Sequence, residues 1–261
     1  MNTMLIRADA RHAPLRAKSV QAVVTSPPYL EQRTYGDNAH ELGHEGSLHR
    51  YVTELVAMLD EARGLNGYLA DDGLLWLNIC DKANGSGGAG GDWRPKPGSA
   101  QIKQPGRGAR RFVDAGYPLG SYLDVPGAVV GALLRRGWRL RASIVWDKGR
   151  RAPESLSHAG RPGRSHEMIY LLAPGPARPK FDPSMLTEEG DVWHFPAKSS
   201  SLSEPHLAPF PDELARRCIL PSTDPGDLVF DPFDGSGTVR RVGADLGRRV
   251  VGADLYAGPS S

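Results

Sequence analysis

Val23-Val24-Thr25-Ser26-Pro27-Pro28-Tyr29 reads as a strand that stops abruptly. Ala22, Val23 and Val24 form a short apolar run rich in β-branched side chains, as expected of a strand buried on both faces of a parallel sheet. Proline has no N–H to give a sheet and fixes φ, so the backbone leaves the strand rigidly at Pro27 and Pro28. Ser26 precedes a proline and is biased to extended geometry. The outcome is a stiff tip at the carboxyl end of a strand, with a hydroxyl on one side and an aromatic ring on the other. In open α/β sheets ligands bind at that edge. The same residues also suit an ordinary polyproline-like exit loop, so a second signal is needed.

The C-terminal quarter supplies it. Leu228-Val229-Phe230 is a strand that runs into Asp231-Pro232-Phe233-Asp234-Gly235-Ser236-Gly237-Thr238. A helix over about 239–246 and a strand over Arg249–Ala253, ending at Asp254, follow. Glycines at such a turn let the backbone approach a ligand, and an acid closing the second strand can accept bonds from both ribose hydroxyls. Asp254 stands 23 residues after Asp231, close to the usual interval of roughly 20. The turn lacks the Gly-Lys-Ser/Thr that cradles phosphates, which favours a cofactor with a ribose and no pyrophosphate. S-adenosylmethionine fits that description.

A nucleoside-binding half should open a Rossmann-like sheet, yet here it comes last. Circular permutation resolves this. The C-terminal strands become numbers one and two, the strand Met4-Leu5-Ile6 ending at Asp9 becomes number three, and the strand ending at Ser26 becomes number four. Both motifs then face one pocket. The expected fold class is α/β, a circularly permuted Rossmann-like fold with a mostly parallel seven-stranded sheet, as one domain over residues 1–261.

Between the two motifs the pattern is coarser. Residues 51–65 have helical apolar spacing, Asp71-Asp72-Gly73 reads as a turn, and Leu74 to Cys80 as an apolar strand ending at Asp81. Residues 125–136 read as a helix with Pro126 in its first turn and Gly137 at its end. Strands are expected over 138–146 and 168–173, and a short helix over 212–220. His40 and His44 have i, i+4 spacing, but the surrounding glycines argue against a helix and no metal is expected.

Charge is uneven. Residues 94–164 hold fifteen Lys/Arg against four Asp/Glu, a net of +11, whereas the remainder carries −9. This suggests a polyanion held by one face; solvated loop arginines are the plainer alternative. The glycine-rich stretch over about 83–116, with Arg107, Arg110 and Arg111, reads as a mobile basic insertion, and about 148–165 as a second basic loop. No run approaches the roughly 18 apolar residues of a membrane helix, and the N-terminus lacks a signal-peptide core. Cys80 and Cys218 lie in apolar surroundings and read as buried thiols of a cytoplasmic protein.

Taken together, Thr25–Tyr29, Arg33-Thr34-Tyr35-Gly36, Leu74–Asp81, Trp146-Asp147-Lys148, His166-Glu167, Asp191-Val192-Trp193, His206–Pro211 and Asp231–Thr238 make the chain resemble the permuted, beta-class DNA amino-methyltransferases. The resemblance implies methyl transfer from S-adenosylmethionine to the exocyclic N4 amine of cytosine in double-stranded DNA, with adenine N6 as runner-up. It implies Ser26, Pro27, Pro28 and Tyr29 as catalytic, the first two accepting the amine hydrogens and Tyr29 stacking on a flipped base. It implies cofactor contacts from Asp9, Thr25, His206, Phe210, Pro211, Asp231, Pro232, Phe233, Gly235, Ser236, Gly237, Thr238 and Asp254. Phe210 and Phe233 could equally be plain core. DNA contacts are expected from Arg33, Arg107, Arg110, Arg111, Lys148, Arg150, Arg151, Arg161 and Arg164. A monomer or homodimer and a cognate restriction endonuclease are further implications. A binding protein without turnover, or methylation of RNA or a glutamine amide, are the other classes such a sequence admits.

Overall fold

The computed structural model describes residues 3–31, 41–85, 113–149, 160–186, 190–197 and 210–256. Among them are eight strands: β1 (Thr3–Arg7), β2 (Val20–Thr25), β3 (Leu69–Ile79), β4 (Arg139–Asp147), β5 (His166–Ala173), β6 (Val192–His194), β7 (Leu228–Asp231) and β8 (Arg249–Asp254). Four α-helices accompany them: α1 (Leu48–Asp60), α2 (Val125–Arg135), α3 (Asp212–Ile219) and α4 (Thr238–Asp245). The strands form one sheet in the order β1-β8-β7-β2-β3-β5-β4-β6. Strand β5 runs antiparallel to β3 and β4, while every other pair is parallel.

Strand β2 sits near the middle because its residues are apolar on both sides. Val20 and Val23 join a core with α1 and α2 on one face, and Ala22 and Val24 join a second core with α3 and α4 on the other. Strand β3 divides the same way, Leu75, Leu77 and Ile79 against Leu74 and Trp76. The Trp76 indole N–H, buried in the second core, donates to Ser222 Oγ at 3.1 Å, which satisfies the one polar group its ring carries.

Three expectations need correction. The sheet has eight strands, not seven: β6 adds three residues alongside β4, too few to show a period. Asp71-Asp72-Gly73 is no turn but part of β3, where the pairing register slips between Val20↔Leu69 and Ala22↔Leu74; an irregularity in the ladder absorbs the extra residues. Helix α1 begins before Tyr51, because Ser47 caps it by accepting from Arg50 N. It also ends before Leu65, and Gly64 has a φ of +89°, which favours a residue without a side chain.

The ends of the glycine-rich insertion, expected to be mobile, are tied down at Ala83–Gly85 and Val113–Gly116. Asn84 is 1% exposed. Its side-chain amide donates to the carbonyls of Asp114 (2.9 Å) and Tyr117 (2.7 Å) and accepts from Asp114 N (2.8 Å). Ala83 bridges to Tyr122. Residues 86–112 and 150–159 lie outside the described residues. Replacing Asn84 by alanine leaves three part-buried backbone groups without this partner and should lower stability by about 1 kcal/mol, read by chemical denaturation, with faster amide exchange across 113–121.

Candidate active site

The edge of the sheet where β2, β7 and β8 end holds a cavity of about 220 Å³. Ser26 and Pro28 line it from the β2 tip, Pro232, Phe233 and Gly235 from the turn after β7, and Asp254 from the end of β8. Asp9 and Arg11 lie on the side of β1, while Glu54 and Met58 reach in from α1. The two stretches read from sequence therefore meet at one opening, because β7 is hydrogen-bonded between β8 and β2.

A buried bond joins them directly. Thr25 Oγ1 donates to Asp231 Oδ1 at 2.8 Å, and Phe233 N donates to the same oxygen at 3.0 Å. Burial, followed by the nearby Asp234 and Asp254 carboxylates, pushes the Asp231 carboxyl up to about 7 against the pull of its two donors. Asp234 is also raised by burial, with Arg240 pulling the other way; their ion pair spans 3.0 Å. Gly235 and Gly237 have φ of +47° and +72°, and Gly237 stands at the start of α4. These glycines turn the chain tightly enough for backbone to line the cavity.

The Asp231 shift has a sign. An acid whose folded pKa exceeds its unfolded value binds more protons when folded, so stability falls as pH rises between the two. The ligand-free protein should lose thermal stability from about pH 4 to about pH 7 through this group. Thermal melts of Asp231→Asn alongside the native chain should show that component removed.

Asp254 Oδ1 accepts from Tyr256 N at 2.7 Å, which fixes the carboxylate at the rim. Asp9 caps a 3-10 turn, accepting from Arg11 N at 3.0 Å and pairing with its guanidinium at 2.8 Å. Burial acts to raise the Asp9 pKa, but these bonds hold it below its ordinary value. Opposite, Tyr256 Oη donates to Glu41 at 3.1 Å. Carboxylates for hydroxyl and amine donors, glycine backbone and apolar walls at Pro232, Phe233 and Met58 fit a nucleoside carrying a short cationic chain.

At the other side of the β2 tip lies a polar cluster. Tyr29 Oη is 2.9 Å from Glu167 Oε2, 3.3 Å from Asn78 Oδ1 and 3.3 Å from Ser26 Oγ. Asn78 Nδ2 donates to Glu167 Oε2 at 3.1 Å, and Lys148 Nζ pairs with Glu167 Oε1 at 2.7 Å. Strand β5 starts at this edge because it runs antiparallel, which brings Glu167 beside the ends of β2 and β3. Sequence reading gave no role to Asn78, Glu167, Arg11, Glu41 or Tyr256. Asn78 did leave a signal, as the lone polar residue in the run Leu74–Cys80.

Other expected positions fall elsewhere. Phe210 packs against the second core, and neither it nor the buried Pro211 is among the described residues that line the cavity. Thr238 is buried at the start of α4 and bonds Ser236 at 3.1 Å. Arg161 donates to Gly120 O at 2.6 Å and stacks over the Tyr122 ring at 4.5 Å. Arg164 donates to Asp81 O and lies 5.9 Å from the same ring. Both thus tie the 160–165 segment to its neighbours, and Lys148 is paired with Glu167. Arg33, Arg107, Arg110, Arg111, Arg150, Arg151 and His206 lie outside the described residues. Cys80 and Cys218 are buried free thiols, and burial pushes Cys80 up to about 12.

A mostly parallel sheet with a glycine turn and a carboxylate at the ends of adjacent strands defines a nucleoside-binding α/β protein. The comparison with solved structures agrees. The PvuII DNA methyltransferase (cytosine-N4-specific) superposes with a TM-score of 0.70 at 18% identity, covering 98% of this chain and 83% of that one. The M1.HpyAVI–SAM complex superposes at 0.56 and 16% identity, covering 97% and 92%. Residues 20–258 match the N6/N4 model described as DNA methylase, and the chain belongs to that family. Among curated relatives, the Type II methyltransferase M.SmaI of Serratia marcescens is 37% identical over 265 residues, spanning 96% of this chain and 86% of its own length. No helix among the described residues is long and apolar enough to cross a membrane.

Proposed function

We propose that this DNA methylase transfers a methyl group from S-adenosylmethionine to the exocyclic N4 amine of a cytosine flipped out of double-stranded DNA. The observation that carries the reading is that Ser26 and Pro28 line the same cavity as Gly235 and Asp254. Donor and acceptor groups are thereby held within one opening, which removes the entropic cost of bringing them together during reaction.

The bound cofactor supplies an electrophilic methyl group on a sulfonium. Asp254 would hold the ribose hydroxyls, and the glycine turn would hold the methionine chain. Asp231 and Asp234 would supply negative potential toward its cationic end, whose charge would favour ionised Asp231. Asp9, which lines the same cavity, would serve the base of the nucleoside. The cytosine amine is a weak nucleophile because its lone pair is delocalised into the ring. Ser26 Oγ and the Pro27 carbonyl accept its two hydrogens, favouring the pyramidal nitrogen that attacks. Tyr29, its hydroxyl anchored, offers a ring face to the flipped base. No covalent intermediate is required.

Serine as the first residue of the tip supports cytosine N4, since in the family the sequence resembles Ser-Pro-Pro-Tyr more often accompanies that base and Asp-Pro-Pro-Tyr adenine N6. The strand order, with β7 and β8 from the end of the chain beside β1 and β2, supports circular permutation. The Type II relatives support a partner endonuclease and a place in the cytoplasm, where the DNA is. The test is nucleoside mass spectrometry on unmethylated genomic DNA incubated with protein and cofactor. N4-methylcytosine is expected. N6-methyladenine would replace the base, and an unmodified digest would overturn the reading.

A further inference from the structure

The cluster behind the β2 tip is more than packing. We propose that Glu167, held by Lys148, is a positioning residue that sets the direction of a hydrogen-bond chain through Tyr29 to Ser26, turning the Ser26 lone pairs toward the incoming amine. This rests on the proposed amine methylation.

Counting hydrogens fixes the direction. An ionised carboxylate accepts and never donates, and a phenol has one hydrogen. Glu167 Oε2 at 2.9 Å is the closest partner of Tyr29 Oη, so the Tyr29 hydrogen goes there. Asn78 cannot compete well. Its amide nitrogen faces Glu167 and the Met168 carbonyl (3.2 Å), which leaves only Oδ1 toward Tyr29, at 3.3 Å. With its own hydrogen committed, Tyr29 Oη can accept, and Ser26 Oγ donates to it at 3.3 Å. The single Ser26 hydrogen is then spent on Tyr29, and the serine oxygen meets the cavity as an acceptor. Were Glu167 unable to take the Tyr29 hydrogen, only the more distant Asn78 Oδ1 at 3.3 Å would hold it, and Ser26 would be freer to present its O–H to the substrate amine, where it repels the N–H groups it should accept. Lys148 Nζ, 2.7 Å from Glu167 Oε1 and 5.7 Å from the Trp146 ring centroid, occupies the carboxylate's other oxygen and fixes its orientation.

The chain also gives the departing proton a destination. As the nitrogen–carbon bond forms, the carbon–sulfur electron pair stays on sulfur and the nitrogen becomes positive. One amine proton passes to Ser26 Oγ, the Ser26 proton to Tyr29 Oη, and the Tyr29 proton to Glu167 Oε2. Each hydroxyl ends with one hydrogen and the carboxyl carries the proton released.

The test compares the native protein with Glu167→Gln, Tyr29→Phe and the double variant, measuring single-turnover methyl transfer with enzyme in excess over unmethylated genomic DNA. Each single substitution should slow transfer by about 100-fold. The double variant should lose little more, since one chain is broken once or twice to the same end. S-adenosylmethionine affinity should stay within about twofold, because none of these atoms belongs to the cofactor side. Losses that multiply, or a Glu167→Gln enzyme at native speed, would overturn the proposal. A second measurement needs no activity: with carbon-13 at tyrosine Cζ, the Tyr29 resonance should shift in both Glu167→Gln and Lys148→Met. An unmoved resonance rejects the chain even where the native enzyme is active. A native enzyme that leaves every nucleoside unmodified instead rejects the amine methylation on which the chain depends.

Discussion

Replacing Ser26 by alanine should slow methyl transfer by roughly 10²–10³-fold, the usual consequence of removing one hydrogen-bonding group aimed at developing charge. The protein should otherwise be unchanged. Ser26 is half-buried at the rim of the cavity, its hydroxyl bonds only weakly to Tyr29 at 3.3 Å, and alanine preserves the backbone between Thr25 and Pro27. Thermal stability should therefore move by no more than a degree or two, about 0.5 kcal/mol. The cofactor dissociation constant, read by calorimetry, should also hold, because Asp254 and the glycine turn are untouched. A loss confined to the chemical step separates an acceptor of amine hydrogens from a residue that merely shapes the pocket. If cofactor affinity fell in parallel, Ser26 would belong to the cofactor side.

The second large effect is expected at a residue that touches no substrate. A side chain at Gly252, in β8, would place its Cβ 2.3 Å from Asp234 Oδ1 and 2.4 Å from Cγ. Such an approach is impossible, and neither partner can yield easily. Gly252 is paired with Asp231 in the ladder. Asp234 has no exposed side-chain surface, is held by Arg240 at 3.0 Å, and donates its N–H to Ala253 O at 2.9 Å. Gly252→Ala should cost about 3 kcal/mol, the upper end for forced overpacking. It should also weaken cofactor binding at least about tenfold by dislodging the turn after β7, a difference of 1.4 kcal/mol. Thermal melts with and without S-adenosylmethionine test both: the ligand-induced rise in melting temperature should shrink as the baseline falls. A native-like melt and rise would mean that Asp234 can turn away without consequence.

Much of the fold was legible because its decisive strands announce themselves locally. β2, β7 and β8 are short apolar runs cut off by proline, aspartate or glycine, and the interval from Asp231 to Asp254 links two of them. What was misread depends on pairing rather than on composition. Asp71-Asp72-Gly73 has the residues of a turn but is drawn into β3 by β2 beside it, and β6 owes its existence to β4. The site divides the same way. Its cofactor side follows from one local motif, whereas the cluster at Tyr29 draws on residues 49 and 138 positions away. Glu167 is hardest to see, since it lies at the start of a strand while its partners lie at the ends of theirs. Arginines hide their local partners. Arg161 and Arg164 read as charges for a polyanion, yet each spends bonds on backbone carbonyls and a tyrosine ring, and sequence carries no sign of that choice.

The Thr25–Asp231 bond described above bears on how the protein could be redesigned. It welds the end of β2 to the end of β7, so the acceptor side and the donor side of the cavity behave as one rigid part. Attempts to fit a bulkier sulfonium donor by altering the turn after β7 would drag the Ser26 tip with them. Room is better sought in the opposite wall, where Met58 and Glu54 come from α1 and Leu42 from the segment before it. Those side chains hang from a helix packed on the sheet rather than from the sheet itself. Trimming them enlarges the chamber while leaving the geometry of transfer alone, which makes that wall the natural place for laboratory evolution to begin.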